Sequence, residues 1–310
     1  MIEHDESRNG VRAAVLAYVV WGLLTIFWKR LQQFDPFELI GWRIVASAIV
    51  MALVVTIRGR WSVIVAALRD RRMAGRLTLA AILLTANWTS YVWSVHNDRI
   101  LEAALGYFMA PLATMLLGIL VLGEERSRLH LAALGFAVAS VVVLTISYGR
   151  PPYLALLIAV TWSLYGLLKR SVTLSAVESL AGETFVLVIP AVLVLLLLSG
   201  QPDSVLHTAT APDWVLVALT GVVTAVPLLL FAYAAQRVPF TLLGALQYLV
   251  PTINLVLGWL VYDEPMSTTS LVGFALVWVA LVLVTLDRVG TPSQRAARAA
   301  ARELSPTAGG

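Results

Sequence analysis

Lys29-Arg30-Leu31-Gln32-Gln33-Phe34-Asp35-Pro36-Phe37-Glu38 and Lys169-Arg170-Ser171-Val172-Thr173-Leu174-Ser175-Ala176-Val177-Glu178 begin and end alike, 140 residues apart. The same offset, without a gap, pairs Pro111 with Pro251, Gly118 with Gly258 and Glu124 with Glu264. Leucines align with leucines by chance in apolar sequence, but charges and prolines are scarce there, so these matches carry the weight. They mark a duplicated chain. Each copy holds five apolar segments of membrane length, and an odd number of spans makes the second copy enter the bilayer in the opposite sense. Inverted repeats of this kind are a signature of secondary transporters.

Composition points the same way. Hydrophobic residues make up 59% of the 310-residue chain, 13% is charged, and mean hydropathy is +0.85. That balance is outside the range of soluble globular domains and identifies an integral membrane protein. A window of about 19 residues, sufficient to cross roughly 30 Å of hydrocarbon, predicts an all-α fold of ten transmembrane helices. They lie near 11–28, 38–57, 77–95, 103–122, 129–147, 152–168, 180–199, 213–235, 241–261 and 269–286. The expected organisation is one five-helix repeat over 11–147, a second over 152–287, and a basic cytoplasmic tail over 288–310. The first span is read as a retained helix because no small-residue cleavage site precedes Lys29-Arg30.

The net charge of +4 gains meaning from its distribution. With the N-terminus inside, 17 of the 22 basic residues fall in cytoplasmic segments, Lys169 and Arg170 among them. Lys29, Arg30, Arg99 and Arg150 fall outside, and Arg43 lies within a span. The positive-inside rule therefore predicts cytoplasmic N- and C-termini, and no nucleic-acid partner is needed to account for the basic balance. The absence of cysteine excludes disulfides and thiolate chemistry. No His-Glu-x-x-His, Gly-x-Ser-x-Gly or phosphate-binding Gly-rich loop appears, so neither an enzyme nor a metal or other cofactor is expected.

A charge near the bilayer centre costs on the order of 2.5–3.5 kcal/mol, which makes intramembrane ionisable residues candidates for function. Arg43 and Glu183 are the two best, and they are repeat equivalents, each five residues after Glu38 or Glu178. Inverted topology sets them about 15 Å apart along the membrane normal, in opposite vestibules. Asp98 or Glu102 is the expected partner of Arg43, and Arg237 that of Glu183. A polar and aromatic group, Asn87, Trp88, Glu102 and Tyr107 in the first half with Gln247, Tyr248 and Asn254 in the second, is expected to line the substrate pathway; interhelical hydrogen bonding is the alternative role. Pro111 and Pro251, each 13 residues before its matched glutamate, are candidate hinges. Glu124 and Glu264, at the membrane boundary, are expected to cap the following helix or to form a gate contact. Of the remaining function classes, an intramembrane lipid-acting enzyme would gather its ionisable groups on one face, and a non-transporting receptor has no need of two opposed copies.

At these residues the chain resembles the RarD group of the EamA family in the drug/metabolite transporter superfamily. The resemblance rests on Asn87-Trp88, Leu101-Glu102-Ala103-Ala104-Leu105-Gly106-Tyr107-Phe108, Pro111, Glu183 to Pro190, Pro227-Leu228-Leu229, Leu242-Leu243-Gly244, Gln247-Tyr248 and Pro251-Thr252. It extends over residues 11 to 287 and implies two EamA repeats in a bacterial inner membrane that move a small metabolite or drug, with protons as candidate partners through Glu183 or Glu102. His96 and Ala110 stand where asparagine is usual in that group, next to the expected pathway.

Overall fold

The computed structural model describes residues 2–97, 99–124, 128–148, 151–261 and 268–289. The elements are α1 (Ile2–Lys29), α2 (Pro36–Ile57), α3 (Trp61–Arg69), α4 (Arg71–His96), α5 (Ile100–Leu120), α6 (Arg128–Tyr148) and α7 (Tyr153–Ser171). They continue with α8 (Ala176–Leu198), α9 (Val205–Thr208), α10 (Ala211–Ala235), α11 (Phe240–Gln247), α12 (Leu249–Val261) and α13 (Thr268–Val289). Among the described residues 7 helical runs are long and apolar enough to cross a membrane, α11 and α12 counting as one. The other three expected spans fall on α4, whose first turns carry Arg71, Arg72 and Arg76, and on α6 and α13, which hold the shorter apolar stretches Leu131–Val143 and Leu271–Ala280. Glu264, Asp98 and the tail beyond Val289 lie outside the described residues.

Helix starts are specified locally. Asp35 accepts hydrogen bonds from the backbone N–H groups of Phe37 and Glu38, with Pro36 at the first helical position of α2. At the equivalent place in the second half Ser175 and Glu178 form a reciprocal capping box on α8. The exterior is what a lipid-facing bundle requires: Ile57 is 75%, Ile189 72% and Leu197 81% exposed, whereas Glu38, Glu102, Lys169 and Glu183 are buried.

Equivalent helices pack against one another, and they run antiparallel. The N-terminal end of α2 meets the C-terminal end of α8 where Gly41 lies against Leu195 and Ala191, and its other end meets the start of α8 where Arg60 reaches Glu178 at 2.6 Å. Along α5 and α11 the order is likewise reversed. Glu124 accepts from the backbone N–H of Thr241 at 2.8 Å, Thr114 accepts from Gln247 at 3.1 Å, and the Phe108 carbonyl accepts from Tyr248 at 3.3 Å. α1 packs on α10 as α7 packs on α4, and α6 packs on α13. Two crossings are so close that only glycine fits. A Cβ on Gly221 would lie 2.5 Å from the Ala46 carbonyl on α2, and one on Gly244 would lie 2.8 Å from the Pro111 carbonyl on α5. Their repeat equivalents are the small residues Ala81 and Ala104.

The ninth expected span is broken into α11 and α12 at Tyr248, with Pro251 in the first turn of α12. Pro111, its equivalent, sits inside an unbroken α5. The two matched prolines thus differ in effect: position 251 offers no N–H to bond back across the break, and the Thr252 hydroxyl donates to the Tyr248 carbonyl at 2.7 Å.

Candidate functional site

Between α2, α4, α8 and α10 lies a partly open cavity of about 20 Å³, enough for roughly one water molecule. Eight of its eleven lining residues are repeat partners of one another: Ile44 with Thr184, Ser47 with Leu187, Leu84 with Thr224, and Trp88 with Leu228. Glu183 also reaches the wall. Ser47 is tied to the Gly221 carbonyl at 3.5 Å, the close crossing that fixes α2 on α10.

Arg43 stands beside this cavity and is held by two of its lining residues. Its Nε donates to Thr224 Oγ1 at 2.8 Å, and its guanidinium carbon is 3.7 Å from the centre of the Trp88 ring and 5.1 Å from that of Trp28. Cation–π contact of this kind offsets part of the cost of bringing a charge into a region without water. Glu102, one expected partner, lies elsewhere: its carboxylate accepts from the Leu154 N–H at 2.8 Å, at the start of α7, and pairs with Arg99 at 3.6 Å. The other, Asp98, is outside the described residues.

Glu183 is paired with Lys169, not with Arg237. Lys169 Nζ lies 2.5 Å from Glu183 Oε1 and donates to Ser179 Oγ at 2.8 Å, while Ser179 and Tyr165 donate to the Glu183 carboxylate at 2.9 and 3.2 Å. Lys169 has no exposed surface and Glu183 is 1% exposed, so the charges compensate each other in the interior. Arg237 stacks on Tyr233 at 3.8 Å and donates to the Tyr233 carbonyl. Lys169 belongs to the last turn of α7, and its count among loop charges is corrected accordingly.

The remaining pathway candidates hold helices together. The Asn87 amide donates to the Ile158 carbonyl at 2.8 Å and to Thr161 at 3.2 Å, joining α4 to α7. Gln247 continues through Thr114 to Ser163, 3.1 Å beyond, and so joins α11, α5 and α7. Tyr248 bonds to α5 as described, and Asn254 accepts from Thr25 at 2.8 Å. Tyr107 packs edge-on against Tyr91 with ring centres 5.6 Å apart. Of the candidates, Trp88 and Glu183 line the cavity and Arg43 stands beside it; Thr224 and Ser47 on its wall and Lys169 behind Glu183 were missed in the sequence. A lone Thr or Ser in an apolar span carries no distinguishing signal. Lys169 was hidden by Arg170 beside it, since a dibasic pair reads as a loop.

Glu124 caps a helix, but a distant one: it binds the first N–H groups of α11, Phe240 at 2.5 Å and Thr241. Glu38 acts similarly on the other half. It accepts from Ser204 Oγ at 2.8 Å and from the Val205 N–H at 3.0 Å, closing the N-terminus of α9, while its equivalent Glu178 holds Arg60, the residue that precedes α3. Each of these matched glutamates thus grips the short helix that follows the other's own helix.

The model of the EamA-like transporter family matches residues 8–146 and again 151–286. Protein RarD of Streptomyces exfoliatus is 40% identical over 307 residues, covering 99% of this chain and 97% of the relative. The uncharacterized transporter YojE of Bacillus subtilis is 40% identical over 293 residues, 93% of this chain and 97% of its own. Protein RarD of Escherichia coli is 31% identical over 290 residues, 94% and 98% of the two chains. A crystal structure with 20% sequence identity superposes with a TM-score of 0.71 over 91% of this chain and 99% of that one, a likeness of fold.

Proposed function

We propose, on the premise that this chain belongs to the EamA-like transporter family, that it is a secondary transporter carrying a small metabolite or drug across the bacterial inner membrane by alternating access. Its ten spans form two inverted repeats, 11–147 and 152–287, with both termini cytoplasmic. The antiparallel packing of α2 on α8 and of α5 on α11 supports the inversion, because a two-fold axis in the membrane plane reverses each helix onto its equivalent.

One observation carries the reading: the central cavity is walled by residues and their own repeat partners on four helices, two from each half. A pathway on the axis between two related bundles opens to one face when they rock one way and to the other when they rock back. Arg43 and Glu183 lie five residues to either side of the midpoint of the α2–α8 pair, about 15 Å apart along the helices, so that each serves one vestibule. Trp88 and Tyr107 supply aromatic surface near Arg43, and Asn87, Glu102, Gln247, Tyr248 and Asn254 brace the helices that bound the route. Pro111 and Pro251 are its hinges, the second with the larger excursion because its helix is already broken.

Solute counterflow in proteoliposomes containing the purified protein tests this. Accumulation of a labelled solute driven by the same unlabelled solute inside is the expected result; equal accumulation in protein-free vesicles removes the proposal. Proton coupling through Glu183 has its own test, since Glu183→Gln that keeps full pH-dependent flux removes it.

A further inference from the structure

The carboxylates described inside the bundle are all engaged. Glu183 is neutralised by Lys169 at 2.5 Å. Glu38 closes α9, Glu102 binds Leu154 and Arg99, and Glu178 binds Arg60. Arg43 differs. Its contacts are the Thr224 hydroxyl and two indole rings, and no carboxylate among the described residues lies within ion-pairing distance of it. Among the described residues, the charge around the cavity is therefore a neutral pair on one side and a cation with no carboxylate partner on the other.

The manner in which Arg43 is held matters as much as its charge. Stacking on an indole uses the flat face of a guanidinium, and the bond to Thr224 uses Nε. The two terminal nitrogens remain as a planar fork, the edge that matches the two oxygens of a carboxylate. Trp88 and Thr224 both line the cavity, so the guanidinium is held by two residues of its wall.

We propose that Arg43 is the solute-recognising residue of the pathway and that the carried solute is an organic carboxylate with an apolar or aromatic body. The carboxylate binds the Arg43 fork, and the body lies against Trp88. Since the volume between the four helices is about 20 Å³, binding takes place when they part toward the Arg43 side. This assignment rests on the transport reading and specifies its cargo.

The test uses the purified full-length protein in detergent, with benzoate and indole-3-carboxylate as probes and benzyl alcohol and benzylamine as neutral and cationic counterparts of similar shape. Intrinsic tryptophan fluorescence reports binding, because Trp88 and Trp28 touch the guanidinium. The carboxylates are expected to perturb the emission saturably and the counterparts to leave it unchanged. Arg43→Gln should weaken the response about ten- to a hundredfold, the range for losing a charge-assisted bidentate contact. Arg43→Lys should recover part of it, and Trp88→Leu, followed by equilibrium dialysis of labelled benzoate because the variant lacks the reporting indole, should weaken binding while leaving the protein folded, as checked by its thermal transition.

A response to benzylamine in place of the carboxylates, silence toward every carboxylate, or an undiminished response in folded Arg43→Gln overturns the proposal. In proteoliposomes the two readings separate. Flux of a solute that is indifferent to its charge and to Arg43→Gln defeats the carboxylate assignment and leaves transport standing. Arg43-dependent carboxylate binding without counterflow of any probe defeats the transport reading and leaves the anion site.

Discussion

Lys169 holds the only cation within 4 Å of Glu183 among the described residues, and both side chains are out of reach of solvent. Removing one partner of such a pair leaves an uncompensated buried charge, so Lys169→Met should cost about 3–5 kcal/mol of stability. The double variant Lys169→Met, Glu183→Gln should regain most of it, an outcome that unfolding of the three detergent-solubilised proteins checks directly. At Glu38 the expected loss is smaller: Glu38→Ala frees the N–H of Val205 and the hydroxyl of Ser204 and should cost about 1–2 kcal/mol in the same measurement. Charge inside an apolar span is visible in the sequence, and the structure buries Glu183 and leaves Arg43 half-buried beside the cavity. Their partners were not visible. Lys169 and Glu183 are 14 residues apart across the turn between α7 and α8, a separation that no helical period marks, and Arg43 is held by a hydroxyl 181 residues away and by indoles.

Between elements, the close crossings set what the bundle tolerates. Gly221→Ala places a methyl group 2.5 Å from backbone atoms of Ala46, which cannot turn aside as a side chain end would. It should therefore lower the thermal transition by the equivalent of about 1–3 kcal/mol, whereas Gly75→Ala, with open space around it, should not. The break at Tyr248 is a different kind of constraint. Pro251→Ala restores a backbone donor at the junction of α11 and α12, and a transporter that bends there should become more stable and slower in counterflow. Most element positions were legible from apolar length, since every expected stretch falls on a helix. The break was not, because α11 and α12 form one continuous apolar run in which only the proline hints at an interruption. α4 shows the opposite effect: its helix of 26 residues includes the arginine-rich connector ahead of the apolar stretch, as helical backbone continues past the hydrophobic boundary wherever no breaker stops it.

For the molecule as a whole, the duplication makes a topological prediction that the composition makes easy to test. The chain has no cysteine, so single cysteines can be introduced without a background. Ser62→Cys on α3 and Asp203→Cys just before α9 both replace exposed residues at nearly equivalent places in the two halves. An impermeant maleimide applied to intact cells should label position 203 and reach position 62 only after the membrane is opened; labelling of both from one side removes the inverted arrangement.

The small volume at the centre has a consequence for the membrane that contains the protein. A bilayer that stores energy as an ion gradient loses it through any continuous file of water, and a space of about 20 Å³ walled largely by apolar side chains holds no such file. Proteoliposomes that carry the protein without its solute should therefore hold an imposed ion gradient as long as protein-free vesicles do.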